Sequence, residues 1–219
     1  MERDTALLIV DVQNDFCPGG ALSVPAGDRV VEPINRAAEI FAAAGLPVLA
    51  SRDWHPPVTK HFRQYGGSWP AHCVQGSEGA AFHPDLRLPS GAVVLSKGID
   101  PEHDSYSAFE AVTDQGASLG TLLRSLGVQY LFIGGLATDY CVRFSALDAL
   151  RLGFGATVLI DAIAGVDVNP GDSARALDEV THAGGRLCTV SACIAREAGG
   201  TAAWHPHIMT VASEKDFAK

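Results

Sequence analysis

The 219-residue chain is 47% apolar and 19% charged, and its formal net charge is -9. General disorder is excluded, since it needs low hydrophobicity with high net charge. Sixteen Lys and Arg against 25 Asp and Glu also argue against a partner that is nucleic acid or an anionic membrane surface, since both select positive charge.

Ala6–Val10 is the first apolar run, with the length of a strand buried on both faces. It is too short for a signal peptide, Asp11 ends it, and no later run approaches the roughly 20 residues of a membrane span. Val30, Ile34, Ala37, Phe41 and Ala44 recur at helical spacing, with Pro33 in the first turn and Gly45 as the stop. Residues 47–51 and 92–96 read as strands two and three. Leu119, Leu122, Leu123 and Leu126 form a helix stopped by Gly127, and residues 130–133 form strand four. A helix marked by Val142, Ala146, Ala149 and Leu150 ends at Gly153. Residues 156–160 are strand five, 173–182 a helix, 187–190 strand six, and 208–211 a short extra strand.

Strands separated by helices imply parallel pairing, because a parallel connection needs a crossover. The expected fold is a three-layer αβα sandwich with a mainly parallel six-stranded sheet. No linker or repeat divides the chain, so residues 1–219 read as a single domain. Residues 52–87 and 98–117 lack a clear period, and loops that long in a compact domain are usually functional. Five cysteines, an odd number spread over the chain, read as free thiols in a reducing, cytoplasmic setting.

In open α/β sheets, ligands bind beyond the carboxyl ends of the strands. Asp11 follows strand one, Asp53 and His55 follow strand two, Lys97 follows strand three, and Gly134 to Cys141 follow strand four. Two residues apart on extended backbone, Asp53 and His55 point to one face. With His61 and His72 they could hold zinc, iron or manganese; the alternative is a charged strand end with surface histidines. Thr138 or Asp139 could cap the next helix, and a cysteine in its first turn is favoured as thiolate. Against that, a free cysteine is more often a buried structural residue. Asp11 needs a partner for a buried carboxylate, and Lys97 or a thiol proton would serve. An Asp capping its own loop and an exposed lysine are the plainer readings. Cys17, Cys73, Cys188 and Cys193 read as structural. His83, His103, His182, His205 and His207 read as surface or capping residues.

Taken together, D-V-Q-N-D-F-C-P-G-G-A-L from Asp11, S-R-D-W-H-P from Ser51, H-F from His61 and W-P-A-H-C from Trp69 form an ordered set. K-G from Lys97, D-S-Y-S-A-F from Asp104, G-G-L-A-T-D-Y-C-V from Gly134 and I-D-A-I-A-G-V from Ile160 continue it. In these blocks the chain resembles the nicotinamidase/pyrazinamidase branch of the isochorismatase-like cysteine hydrolases, which are Rossmann-like. The resemblance implies a catalytic triad of Asp11, Lys97 and Cys141. It implies one divalent metal ion (Zn, Fe or Mn) held by Asp53, His55, His61 and His72. It further implies an oxyanion hole from the backbone N–H groups of Ala137 and Cys141, and a cis peptide between Leu136 and Ala137. Phe16, Trp69 and Tyr106 match residues that enclose the substrate ring. The implied reaction is hydrolysis of nicotinamide, and of pyrazinamide, through a cysteine thioester in NAD salvage. A related hydrolase acting on a ureido acid or a carbamoyl amino acid is the alternative. Both a monomer and a homo-oligomer remain open.

Overall fold

The buried apolar runs from Ala6 to Ile160 have become strands of one sheet in the computed structural model, which describes residues 4–193, and a short, more exposed strand completes it. The strands are β1 (Thr5–Val10), β2 (Val48–Asp53), β3 (Val93–Lys97), β4 (Tyr130–Leu136), β5 (Gly155–Ala164) and β6 (Arg186–Cys188). Their spatial order is β3-β2-β1-β4-β5-β6, and every pairing is parallel. The helices are α1 (Val31–Ala43), α2 (Leu119–Ser125), α3 (Arg143–Arg151), α4 (Asp172–His182) and α5 (Val190–Cys193).

The side-chain alternation of β1 explains the three layers. Leu7 and Ile9 pack with Ile34, Ala37, Ala38 and Phe41 of α1 and with Val190 of α5. Ala6, Leu8 and Val10 point the other way, toward Leu119 and Leu123 of α2, Ala146 and Ala149 of α3, and Val180 of α4. A strand apolar on both faces is what a parallel sheet covered on both sides requires. Among the described residues no helix is long and apolar enough to cross a membrane.

Three details differ from the sequence reading. The sixth strand stops at Cys188, because Val190 N donates to the Asp161 carboxylate (2.8 Å) and opens α5. Strand five runs on to Ala164, since its pairing with β4 resumes after a register shift between Ile133 and Gly135. The five thiols are not all free: Cys188 and Cys193 form a disulfide, and Cys17, Cys73 and Cys141 are the free, buried ones. The chain turns directly from β6 into α5, which brings the two Cα atoms to 6.2 Å, within bridging range. Residues 208–211, His205 and His207 lie outside the described residues.

The aperiodic stretch 52–87 is held mainly by hydrogen bonds to the loop after β1. Asn14 N donates to Ala81 O (2.9 Å) and Asp15 N to Gly79 O (3.0 Å). The Asp15 carboxylate accepts from Ala21 N (3.0 Å) and Cys73 N (2.7 Å), so one side chain binds the loop after β1 to the one after β2. Gln13 spans the same gap. Its amide donates to Asp53 O (2.8 Å) and Ala80 O (2.9 Å), and its Oε1 accepts from Asp53 N (2.7 Å).

The sheet changes winding direction between β1 and β4, which leaves a crevice at their carboxyl ends. Gly135 sits at that junction with φ +127°, and a Cβ there would lie 2.0 Å from Val10 O. Gly45, which ends α1, also has positive φ (+68°), but a Cβ there meets nothing within 4 Å. Gly45→Ala should therefore cost only the left-handed strain, about 1–2 kcal/mol. Gly135→Ala should cost more than about 4 kcal/mol, because strained backbone and steric overlap combine. Urea denaturation midpoints measure both; equal shifts would show that β4 does not need a glycine against β1.

Candidate active site

Four strand ends each deliver one functional group to the crevice. Asp11 follows β1 with φ 49°, fully buried, and its N–H donates to Ser51 O (3.2 Å). Ser51 Oγ donates to Asp11 Oδ1 (2.7 Å). Asp53 ends β2, its backbone gripped on both sides by the Gln13 amide. Lys97 ends β3 and is fully buried. Cys141 lies in the π-helical turn Thr138–Val142 that follows β4, and the peptide between Leu136 and Ala137 is cis, as the resemblance implied.

Lys97 Nζ is the hub. It sits 2.9 Å from Asp11 Oδ2, donates to Asp53 Oδ1, and reaches Cys141 Sγ at 3.5 Å and Ser105 O at 3.4 Å. Burial alone would push the ammonium down, but Asp11 and Asp53 hold it well above its ordinary value, so it stays charged. Burial pushes Asp53 up, yet Lys97 and the imidazoles of His55 and His72 outweigh that and keep it well below the ordinary range. Asp11 goes the other way: burial, aided by the Asp53 charge, outweighs Lys97 and the Ser51 hydroxyl and raises it. The Cys141 thiol is pushed well up by burial; Lys97 opposes this, and Asp11 and Asp53 add to it. Burial therefore works against the thiolate that a helix N-terminus alone would favour, and a neighbouring base is suited to take the proton. Asp11 Oδ2, buried and without a well-aligned hydrogen bond despite its nearness to Lys97, is the free acceptor beside it.

Beside this group lie His55, His61 and His72, all buried, with ring nitrogens within 4.8 Å of one another. Every Nδ1 is engaged outward: His55 to Gly98 O (3.0 Å), His61 to Asp104 Oδ1 (2.6 Å) and His72 to Pro70 O (2.8 Å). If each Nδ1 carries the proton, all three Nε2 lone pairs face inward. Asp53 Oδ2 completes the set, 3.6 Å from His55 Nε2 and 3.8 Å from His72 Nε2. His55 Nε2 is buried with no hydrogen-bond partner. An unpaired buried nitrogen is costly, and three imidazoles with one carboxylate are the donor set of a divalent transition metal. The residues present therefore fit such an ion.

The groups open onto a pocket lined by Phe16, Trp69, Tyr106, Tyr140, Ala137 and Cys141, among others. Aromatic walls with a few convergent polar groups suit a small ligand. Trp69 Nε1 donates to the Tyr106 hydroxyl (3.0 Å), its ring stands edge-on to Tyr140 (5.0 Å), and Tyr106 stacks on Phe144 (5.3 Å). All residues expected at the site are thus brought together around one crevice. Gln13, Tyr140, Val166 and Asp104 also belong to the site, and residue-level reading of the sequence does not point to them. All four lie inside the motif blocks, yet nothing in their spacing signals a long-range contact. The expected capping role of Asp139 is also corrected. Its carboxylate accepts from Val166 N (2.9 Å) and Asp167 N (2.8 Å), which anchors the loop carrying the pocket residue Val166.

Comparison with known proteins adds an independent line. Residues 5–192 match the sequence model of the isochorismatase domain. The chain is 45% identical over 202 residues to the nicotinamidase of Escherichia coli (strain K12), covering 85% of this chain and 95% of that protein. It is 42% identical over 183 residues to the nicotinamidase/pyrazinamidase of Mycobacterium tuberculosis (strain ATCC 25618 / H37Rv), covering 81% and 95%. The crystal structure of Pyrococcus horikoshii pyrazinamidase in complex with zinc aligns with a TM-score of 0.78 at 44% identity, covering 85% of this chain and 99% of that one.

The charge balance around Lys97 sets a test. Lys97→Met leaves the Asp53 carboxylate buried without its cation, and breaking a buried pair typically costs about 3–5 kcal/mol. Adding Asp53→Asn should recover part of that loss. Urea denaturation of chelator-treated protein reads both; a double variant no more stable than the single one would show that the buried charge is not what destabilises it.

Proposed function

The chain belongs to the isochorismatase family, and we propose that it is a nicotinamidase, a metal-dependent amidohydrolase that converts nicotinamide to nicotinate and ammonia. The observation that carries this is the meeting of a buried thiol, a buried carboxylate and a buried ammonium beside a convergent histidine cluster in an aromatic pocket. The high identity to nicotinamidases supports the choice of substrate. Pyrazinamide, of similar size and also carrying a ring nitrogen beside a carboxamide, fits the same reading.

Asp11 Oδ2 takes the Cys141 proton, and Lys97 stays charged beside both. The thiolate attacks the carboxamide carbon. The backbone N–H groups of Ala137 and Cys141 meet the charge that develops on the carbonyl oxygen; one such donor is typically worth about 2.7–4 kcal/mol. Asp11 returns its proton to the departing nitrogen, and ammonia leaves a thioester on Cys141. Asp11 then takes a proton from water, which attacks the thioester carbon, and the Cys141 sulfur leaves and is reprotonated. Nicotinate is released, a product suited to NAD salvage.

Asp53, His55, His61 and His72 would hold one zinc, iron or manganese ion. When bound, that ion supplies a Lewis-acidic anchor for the ring nitrogen, a template role. Phe16, Trp69 and Tyr106 enclose the ring and exclude water from the reacting carbon.

Cys141→Ala should lower ammonia release from nicotinamide by at least about 10³-fold, as loss of a nucleophile does. Its circular dichroism and thermal midpoint should stay near those of the parent. A coupled ammonia assay decides it, and retained turnover in a folded variant would falsify the assignment of the nucleophile.

A further inference from the structure

The two long connections meet at the histidine cluster. Residues 98–106 lie across the 59–61 turn, where Pro101 O accepts from Lys60 N (2.9 Å) and Thr59 Oγ1 (3.1 Å), and Lys60 pairs with Glu102. The same segment brings Ser105 O toward Lys97 and the Tyr106 hydroxyl to Trp69. Asp104, between them, places Oδ1 2.6 Å from His61 Nδ1. The His61 side chain is 4% exposed and that of Asp104 55%. This arrangement distinguishes His61 within the cluster, since His55 and His72 engage neutral backbone carbonyls.

We infer that Asp104 is a positioning residue for the metal, acting through His61; the inference rests on the metal site proposed above. A carboxylate accepting from Nδ1–H fixes the ring's tautomer and orientation, so that Nε2 offers its lone pair to the cluster. It also raises the basicity of that nitrogen more than a neutral carbonyl does. Such outer partners typically contribute about 10–100-fold in metal affinity. The aperiodic 98–106 segment thereby acquires a definite role, which is to set the ligand that the other loop supplies.

Zinc affinity of the full chain, measured at fixed pH by competition with a chromophoric chelator, tests this without reference to turnover. Asp104→Ala should weaken zinc binding about 10–100-fold. Asp104→Asn should fall between it and the parent, because its amide oxygen still accepts the Nδ1 hydrogen but carries no charge. Since Asp104 is largely exposed, circular dichroism should be unchanged in both. Glu102→Gln removes an exposed pair from the same segment and should stay within about twofold of the parent. If Glu102→Gln weakened zinc as much as Asp104→Ala, docking of the segment, and not the His61 contact, would be responsible and the proposal would fall. His72→Ala separates the two levels. Loss of zinc there with parental affinity in Asp104→Ala overturns this proposal alone; parental affinity in His72→Ala overturns the metal reading and this proposal together.

Discussion

A single buried ammonium, Lys97, organises the site. It lies between two carboxylates from neighbouring strand ends, Asp11 and Asp53, and within 3.5 Å of the Cys141 sulfur. A lysine this deep is costly unless its charge is matched. The match comes from both Asp11 and Asp53, although burial raises the proton affinity of Asp11 while Asp53 is held well below the ordinary range. Asp53 has a second duty, because Oδ1 takes Lys97 while Oδ2 faces the histidines. One carboxylate therefore joins the group of Lys97, Asp11 and Cys141 to the histidine cluster. Neither half can be altered without changing the charge felt by the other.

That convergence depends on the sheet topology. In a parallel sheet all carboxyl ends lie on one edge, and the change of winding direction between β1 and β4 keeps that edge open at Asp11. Close approach of β1 and β4 needs Gly135, whose missing side chain leaves room for Val10 O. The loops beyond the edge lack regular structure, yet Gln13 and Asp15 hold them through hydrogen bonds spanning 40 residues or more in sequence. Rigid scaffolding and ordered loops are what a site of preorganised dipoles needs.

This division also explains what the sequence makes legible. Runs such as Ala6–Val10 reveal strands because burial on both faces demands apolar residues without interruption. The periodic Ile34, Ala37 and Phe41 reveal α1 for the related reason that one face is buried. Asp11, Asp53, His55 and Lys97 stand out because charged groups closely follow such runs, and Cys141 because it opens the helical pattern after strand four. Gln13 and Asp104 do not stand out, because each acts on a residue about 40 positions away and no local period records that. Asp139 misleads for the opposite reason. Its position looks like a cap, but its carboxylate is drawn to backbone donors at Val166 and Asp167. The Cys188–Cys193 bridge is likewise invisible to a count of cysteines, since it depends on how sharply β6 turns into α5.

The raised proton affinities of Asp11 and Cys141 are best understood as a pair. In water a carboxyl near 3.9 and a thiol near 8.5 are badly matched, and a carboxylate is a poor base toward a thiol. Burial raises both groups here, so the carboxylate becomes a stronger base while the thiol remains protonated at rest. Moving the proton from sulfur to Asp11 shifts one negative charge between two atoms that both lie within 3.5 Å of Lys97 Nζ. The net buried charge does not change, so a low dielectric does not oppose the transfer as it would oppose creating a new ion. A thiol kept neutral by burial thus needs no permanently lowered proton affinity, only an acceptor that shares its environment and its cation.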